Sequence, residues 1–192
     1  MKVSKQKAAE HRDDILVGAS KLFREKGPRG VGIAQLMKTA GLTHGGFYGQ
    51  FDSKDALFGE TVELMLRDAA AEASKAFARP DPLGRLARNY MSSAKLKGTG
   101  ECPIVTLAAD VPRSNAAVQE AFARGLRAYL SAGRQNKTSS DEWLASTAGI
   151  AMIVGGMLMA RAVVAKDPEL ATAIVNAVGN HIEDVNLPST SP

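Results

Sequence analysis

The stretch that decides the fold is Gly41-Leu42-Thr43-His44-Gly45-Gly46-Phe47-Tyr48. Gly41 tolerates positive φ, which a tight turn between two short helices requires, and Leu42 supplies the apolar residue needed just after that turn. The positions expected to face inward around the turn are Leu36, Ala40, Phe47 and Phe51. The pattern predicts a helix-turn-helix, whose second helix is free to enter the major groove of DNA.

The other residues around this turn are polar or very small and are expected on the outward face or at the helix start. They are Thr43, His44, Gly45, Gly46, Tyr48 and Gly49. The Thr43 hydroxyl is placed to cap the second helix. Each glycine costs about 1 kcal/mol relative to alanine inside a helix. Bare backbone allows a close approach to a groove wall, although a plain surface loop would also contain glycines.

Apolar residues recur at helical spacing along the whole chain, and no stretch alternates convincingly over the length of a strand. We therefore predict an all-α fold of about nine helices. The predicted domains are an N-terminal three-helix helix-turn-helix domain over residues 1–52 and a second helical domain over residues 53–192.

Helix boundaries are marked by glycine, proline and capping residues. The first helix is expected to end at Gly27-Pro28, and Asp52 or Ser53 is expected to cap a long helix that runs to about Phe77. Further predicted starts are Asp81-Pro82, Pro103, Ser114, Asp167-Pro168 and the capping box of Ser139 with Glu142, whose helix runs towards Val164.

The net charge of +4 is concentrated near the N-terminus. Residues 1–55 hold ten Lys or Arg and six Asp or Glu, whereas residues 56–192 hold fourteen of each. This asymmetry is expected if the first quarter of the chain faces a polyanion, and it is equally compatible with a basic soluble face.

Cysteine use and hydropathy bear on the compartment. Cys102 is the only cysteine, which excludes an intrachain disulfide and favours the reducing cytoplasm. The basic start is followed by charged residues instead of an apolar run, so a signal peptide is not expected. Residues 143–160 are uncharged but include three glycines, and we interpret them as a helix buried between protein surfaces, with no membrane partner.

The last two predicted helices look like partners in a dimer interface. The final helix carries an apolar stripe, and the preceding one carries small residues four apart that let helix backbones approach closely. The candidate interface residues are Ala151, Gly155, Leu158, Ile174, Val178, His181 and Ile182. Periodicity alone leaves open an intrachain core, because it does not say which chain supplies the partner helix.

The first quarter of the chain resembles the N-terminal DNA-binding domain of the TetR family. The resemblance covers about residues 10–58 and is carried by Ile15-Leu16 to Leu22-Phe23, Glu25-Lys26-Gly27, Gly41-Leu42-Thr43 to Phe47-Tyr48 with Phe51, and Ser53-Lys54-Asp55-Ala56-Leu57. The rest of the chain is similar only in the number and length of its helices, as is usual for that family's ligand-binding and dimerisation domain.

The resemblance implies a cytoplasmic bacterial homodimer that represses transcription from double-stranded operator DNA and is released by a small-molecule or electrophile signal. It implies that the helix at residues 43–50 lies in the major groove, and that Tyr48 and Lys54 hold phosphates. The chain departs from the family pattern at Gly32, Met37, His44 and Gly49. Gly32 stands where a phosphate-binding Thr or Ser is common, and His44 is left as either a DNA contact or a cap.

The resemblance also implies an effector site in the C-terminal domain. Candidate pocket walls are Phe77, Tyr90, Met91, Phe122, Tyr129, Trp143 and Met152, although residues at such spacing are also typical of plain core. Cys102 is a candidate redox or electrophile sensor, because it stands where the positive end of a helix dipole favours the thiolate. The alternative for Cys102 is a buried inert thiol.

No catalytic or metal-binding arrangement is recognised, and no cofactor is expected. His11, His44 and His181 are far apart in sequence, and none has metal-ligand spacing or a cysteine partner. We therefore expect a non-enzymatic regulator. The alternative is a helical adaptor or ligand-binding protein whose helix-turn-helix no longer reads DNA, which the glycines at positions 32 and 49 would support.

Overall fold

The computed structural model describes residues 5–96, 102–132 and 140–186, without the side chains of residues 5, 93, 140–143 and 186. All regular elements in these ranges are helical. The α-helices are α1 (Lys5–Lys26), α2 (Ile33–Thr39), α3 (Lys54–Phe77), α4 (Pro82–Tyr90), α5 (Ser93–Leu96), α6 (Pro103–Leu107), α7 (Ala116–Ala132), α8 (Ser140–Val163) and α9 (Pro168–Asn186). Two short 3-10 helices, η1 (His44–Gly49) and η2 (Val111–Arg113), complete the set. The all-α prediction is confirmed.

The chain divides into two compact units by its internal contacts. Unit 1 contains residues 1–69 and 100–128, and unit 2 contains residues 70–99 and 129–192. The predicted domain of residues 1–52 lies wholly in unit 1. The division does not fall at residue 53, because α3 continues past that point as one helix and α6 packs against α1.

Several predicted helix ends have the expected chemistry. Gly27 follows α1 with a φ of 67°, and its N–H donates to the Phe23 carbonyl at 2.9 Å. Of the two candidate caps for α3, Ser53 makes the bond, because its Oγ accepts from the Ala56 N–H at 3.0 Å. Side-chain oxygens also cap α4 and α9, where Asp81 accepts from Gly84 at 3.1 Å and Asp167 accepts from Leu170 at 2.9 Å.

Two helices, α7 and α8, begin close to the serine residues predicted to open them. The prediction that Ser114 opens a helix is wrong by one residue, because Asn115 Oδ1 accepts from the Val118 N–H at 3.0 Å and caps α7. The Ser114 hydroxyl instead donates to the Asp110 carbonyl at 3.1 Å. Ser139, the proposed cap of α8, lies outside the described residues.

Unit 1 is held by an aromatic and aliphatic core that α1 shares with the helices after it. Ile15, Ala19 and Phe23 of α1 are fully buried. The Phe23 ring meets the Phe58 ring of α3 edge to face, with 5.1 Å between centroids. An ideal Cβ at Gly59 of α3 would lie 3.5 Å from Val118 Cγ2 of α7, so α7 packs against α3 within unit 1.

Unit 2 is built on the antiparallel pair of α8 and α9, with α4 against both. An added Cβ at Gly156 would lie 2.8 Å from Val178 Cγ2 and 3.1 Å from Met91 Cε, so the three helices converge there. Gly149 fills the same role beside Leu83 of α4, at 3.0 Å. Small residues on this side of α8 therefore serve close packing within the chain.

One stretch of α8, Leu144–Val163, is long and apolar enough to cross a membrane by length and composition alone. Core helices of soluble proteins pass the same test. Met157 and Ala160 of this stretch are almost fully buried within unit 2. One side of the helix therefore contributes to the core of unit 2, and 39% of the apolar window is buried within the described residues.

Candidate nucleic-acid interface

The turn between α2 and η1 has the backbone that the sequence predicts. Gly41 has a φ of 68°, in the left-handed region that favours glycine. Its N–H donates to the Lys38 carbonyl at 3.1 Å, and the Leu42 N–H donates to the Met37 carbonyl at 2.9 Å. These bonds satisfy carbonyls at the end of α2 and fix the direction in which η1 leaves the turn.

The second element of the predicted motif is a 3-10 helix, His44–Gly49, instead of an α-helix. Three of its six residues are glycines, which disfavour α-helix propagation, and 3-10 geometry is common in such short pieces. Thr43 occupies the N-cap position, but its side chain makes no capping bond, so that part of the prediction is wrong. Its carbonyl accepts from the Gly46 N–H at 3.1 Å.

Aromatic residues anchor η1 on its inner side and extend from it on its outer side. Phe47 is fully buried, and Phe51 beyond it is 3% exposed, as predicted. The next residue, Tyr48, is 64% exposed and meets the Phe47 ring edge to face at 5.2 Å between centroids. The buried ring therefore supports an outward-facing ring whose hydroxyl is available to a partner.

The rest of the outward face is short side chains and bare backbone. Thr43, His44, Gly45, Gly46 and Gly49 are all exposed, as predicted. An added Cβ at Gly45 or Gly49 would have no described heavy atom within 4 Å beyond its own neighbours, and at Gly46 only Met37 Cε would lie near, at 3.5 Å. None of the three has positive φ. Packing within the described residues therefore gives no reason for these glycines.

Lys54 stands at the first position of α3, beside the Ser53 cap. Its Nζ donates to the Val31 carbonyl at 3.2 Å, which connects the start of α3 to the segment just before α2. An ammonium group has three donors, so two remain for a phosphate. The amides at the start of α3 add to the positive potential there, whereas the exposed carboxylates of Asp52 and Asp55 oppose it.

Gly32 is the N-cap residue of α2, with φ −91° and ψ 156°. It is exposed, and an added Cβ would meet no described atom within 4 Å. Any residue adopts this backbone conformation. The departure from the Thr or Ser typical of the family therefore removes a cap and a hydroxyl, and the backbone does not require it.

Sequence reasoning missed Arg12. Its guanidinium donates to the Gln50 carbonyl at 3.1 Å, just after η1, and to both carboxylate oxygens of Glu60 on α3 at 2.8 and 2.7 Å. It also lies over the Phe51 ring at 4.2 Å. The partners are 38 and 48 residues away in sequence, so no local pattern signals them.

The candidate sensor Cys102 is 6% exposed and stands at the N-cap of α6. Its carbonyl accepts from the Thr106 N–H at 3.2 Å. The helix that follows has only five residues, which limits any effect of its dipole on the thiol.

The candidate pocket residues do not all belong to one unit. Phe122 lies in unit 1, whereas Phe77, Tyr90, Met91, Tyr129 and Met152 lie in unit 2. Phe77, Met91 and Tyr129 are buried, and Tyr90, Phe122 and Met152 are half-buried. The side chain of Trp143 lies outside the described residues.

The candidate dimer residues divide between two faces. Ala151, Leu158 and His181 are exposed, and Gly155 has no described atom within 4 Å of an added Cβ. Ile182 is 3% exposed, and the half-buried Val178 lies beside Gly156, so both make contacts within unit 2, the intrachain alternative that periodicity left open. Ile174 is half-buried.

Large apolar side chains are also exposed on these two helices, and we call the exposed residues of the pair the outer face of α8 and α9. These apolar side chains are Leu144, Leu158, Met159, Leu170 and Val185. Metal-binding clusters are absent from the described ranges, where no three His, Cys, Asp or Glu side chains lie close enough to hold a metal ion.

Comparison with known proteins agrees with the geometry. The family described as bacterial regulatory proteins, tetR family, matches residues 15–61, which run from the core of α1 through the turn and η1 into α3. The transcriptional regulator AcrR of Shigella flexneri is 39% identical over 61 residues, which are 32% of this chain and 28% of that protein. The transcriptional repressor BepR of Brucella suis is 29% identical over 109 residues, covering 53% of this chain and 49% of that protein.

The matches thus span about a quarter and about half of the two curated relatives. The fold extends further than the sequence likeness. The reduced form of NemR from E. coli superposes with a TM-score of 0.73 at 20% identity, over 94% of this chain and 100% of that one. The segment of residues 15–61 is thus similar to the DNA-binding segment of the tetR family of bacterial regulatory proteins, and the likeness to NemR shows a shared fold.

Proposed function

We propose that this chain is a homodimeric repressor of the bacterial cytoplasm that binds double-stranded operator DNA through η1. The observation that carries the proposal is the outward face of η1. Tyr48 is 64% exposed on a segment whose own anchor, Phe47, is fully buried. An exposed tyrosine on a rigid support, among bare glycine backbone, suits contact with a phosphate-lined groove.

Lys54 and the charge distribution support the same partner. The Lys54 ammonium has donors to spare next to the amide end of α3. The whole net positive charge of the chain resides in residues 1–55, which contain η1. We therefore propose that Tyr48 and Lys54 position phosphates, and that Thr43 and His44 make the few base or phosphate contacts that short side chains allow.

The homodimer is supported by the outer face of α8 and α9. Leu144, Met159 and Val185 are each more than half exposed. Several exposed apolar groups of this size on one helix pair are typical of protein interfaces. A second copy of the chain, related by a two-fold axis, would cover this face and present two η1 segments to half-sites about 34–36 Å apart, or at a multiple of that spacing.

Repression and release are the remaining parts of the proposal. The relative BepR is named a transcriptional repressor, which favours the same sign of regulation here. Release requires only that an effector favour one of two states, typically by about 1–3 kcal/mol of coupling. The effector is proposed to bind among the half-buried and buried side chains of unit 2 or, as an electrophile, to react with Cys102.

DNA binding is tested with the wild-type protein and short labelled duplexes. Fragments that flank the protein's own gene, and duplexes selected from a random-sequence library, are titrated in a fluorescence anisotropy assay at several salt concentrations. We expect sequence-preferring binding whose affinity falls steeply with salt, because phosphate contacts release counterions. We expect Tyr48→Phe, which removes only the hydroxyl, to weaken binding by roughly tenfold, the effect of one charge-assisted hydrogen bond.

Two results would reject the proposal. Wild-type protein that selects no sequence from the library and shows no salt-sensitive binding would favour the adaptor or ligand-binding alternative. Binding that Tyr48→Phe and Lys54→Gln leave unchanged would show that another surface meets the DNA. Reporter expression with and without the intact gene then gives the sign of regulation.

A further inference from the structure

Arg12 joins three elements around the end of η1. One guanidinium nitrogen donates to the Gln50 carbonyl at 3.1 Å, and another donates to both oxygens of Glu60 at 2.8 and 2.7 Å. The guanidinium also lies over the ring of Phe51, 4.2 Å from its centroid. The Arg12 and Glu60 side chains are 35% and 41% exposed, so solvent reaches the pair but does not surround it.

The end of η1 needs such a partner. Gln50 is the C-cap residue, and its N–H and that of Phe51 both donate to the Phe47 carbonyl, at 2.9 and 3.0 Å. Carbonyls at a helix C-terminus lack intrahelical donors, and a cation there completes them. A six-residue helix with three glycines has little stiffness of its own, so its orientation depends on its anchors.

We propose that Arg12 is a positioning residue for DNA reading, which holds the C-terminal end of η1 at a fixed orientation to α3. This inference rests on the proposed function, since it assigns Arg12 a part in reading a duplex through η1. The Glu60 carboxylate orients the Arg12 guanidinium, and the guanidinium holds the Gln50 carbonyl. The Phe51 ring supports the plane of the guanidinium. The exposed Tyr48 and the Lys54 ammonium are then presented together.

A direct phosphate contact by Arg12 is the competing role, and salt dependence separates the two. An arginine that neutralises a phosphate adds about 0.9 to the magnitude of the slope of log K against log salt. A positioning arginine weakens binding to the preferred sequence and leaves the number of released counterions unchanged. It also weakens binding to a scrambled duplex much less, because non-specific binding needs charge and not orientation.

The experiment compares Arg12→Gln with Arg24→Gln in the full chain. Arg24 lies on the same helix and donates to the Ser20 carbonyl of that helix at 3.1 Å, so its loss removes the same charge without touching η1. Probes are the duplex that wild-type protein selects from a random library and a scrambled duplex of the same composition. Hydrogen exchange of the peptide covering residues 44–51 is measured in the protein without DNA.

We expect Arg12→Gln to bind the selected duplex roughly tenfold more weakly than Arg24→Gln, with the same salt slope and the same affinity for scrambled DNA. We also expect several-fold faster exchange in residues 44–51. Equal binding by the two variants overturns the proposal while the proposed function stands. A salt slope reduced by about 0.9 relative to Arg24→Gln overturns it in favour of a phosphate contact. Wild-type protein that binds neither duplex overturns both.

Two further variants keep the test decisive if Arg12→Gln folds poorly. Glu60→Gln leaves the bond to the Gln50 carbonyl in place but weakens the fork, and we expect a two- to threefold loss for the selected duplex. Arg12→Lys keeps the charge and loses the planar guanidinium. We expect it to bind the scrambled duplex as tightly as wild type and the selected duplex with an affinity between those of Arg12→Gln and wild type. Full restoration of both by lysine would overturn the positioning role.

Discussion

Replacing Gly45 or Gly49 by alanine should raise the stability of the fold and lower its affinity for operator DNA. Neither residue has positive φ, and an added Cβ at either position would meet no described atom within 4 Å beyond its neighbours. Alanine costs the unfolded chain conformational freedom that glycine retains. The expected gain in the free energy of unfolding is about 0.4–1 kcal/mol for each substitution.

The expected effect on DNA binding has the opposite sign. If the bare backbone is kept for close approach to a groove wall, a methyl group pushes the wall away and lengthens the contacts beside it. Loss of one charge-assisted hydrogen bond costs about 1.5–3 kcal/mol, which is at least tenfold in affinity. Gly46 is a less suitable position for this test, since its added methyl would also touch Met37 Cε at 3.5 Å.

Thermal unfolding and anisotropy titration on the same preparations measure both signs. A gain of this size raises Tm by roughly 1–4 °C for a chain of this length. Gly41→Ala is the control, because its φ of 68° makes alanine strained, and it should lower Tm. If alanine at position 45 or 49 destabilises the protein, the claim that an added methyl group has free space there is refuted. Higher stability with unchanged affinity refutes the close-approach explanation of the glycines.

Four further predictions follow from other parts of the chain. Lys54→Gln should weaken operator binding and reduce the magnitude of the salt slope by about 0.9, measured by anisotropy at several salt concentrations. Leu158→Glu should convert a dimer to a monomer in sedimentation or light scattering, because a charge is placed on the outer face. Cys102→Ser should retain DNA binding but lose its release by N-ethylmaleimide, followed by gel shift and mass spectrometry. Gly156→Ala should destabilise the fold by about 1–2 kcal/mol in chemical denaturation, whereas Gly155→Ala should not.

Each has a matched control or a contrary result. For the outer face, Val17→Glu places the same charge at another exposed apolar residue, 66% exposed on α1, and should leave the oligomeric state unchanged. A dimeric Leu158→Glu protein would contradict the proposed interface. Release by N-ethylmaleimide in the serine variant would remove Cys102 as the sensor. An unchanged salt slope for Lys54→Gln would show that Lys54 contacts no phosphate and would leave its bond to the Val31 carbonyl as its role.

The local parts of the candidate site could be predicted from the sequence because their causes are local. A glycine at the required φ, apolar residues at fixed spacing and a serine before a helix define the turn, the buried Phe47 and the start of α3 within a few residues. The Thr43 cap failed on a finer detail. The extended backbone at that position is right for a cap, but η1 tightens into 3-10 geometry and the hydroxyl makes no capping bond.

The non-local parts could not be predicted in the same way. The Arg12 contacts depend on how α1, the end of η1 and α3 meet, and nothing near Arg12 in sequence encodes that meeting. On α8 and α9 the helical period gave the apolar positions but not their partner. Gly155 and Gly156 are adjacent, yet one faces outward and the other packs against Val178. A rotation of about 100° between neighbours in a helix is enough to point one residue outward and the next towards the core.

The short outward face of η1 has a consequence for how this protein would select its operator. Long side chains that make two hydrogen bonds to a base edge supply most direct readout, whereas the exposed residues of η1 and its N-cap are Thr43, His44, Tyr48 and three glycines. Phosphate contacts position a protein but carry no sequence information by themselves. Their sequence dependence then comes from the shape of the duplex that brings phosphates into register with Tyr48 and Lys54. The orientation of η1, which the Arg12 fork holds at its C-terminal end, therefore matters more here than in a reader with long base-contacting side chains.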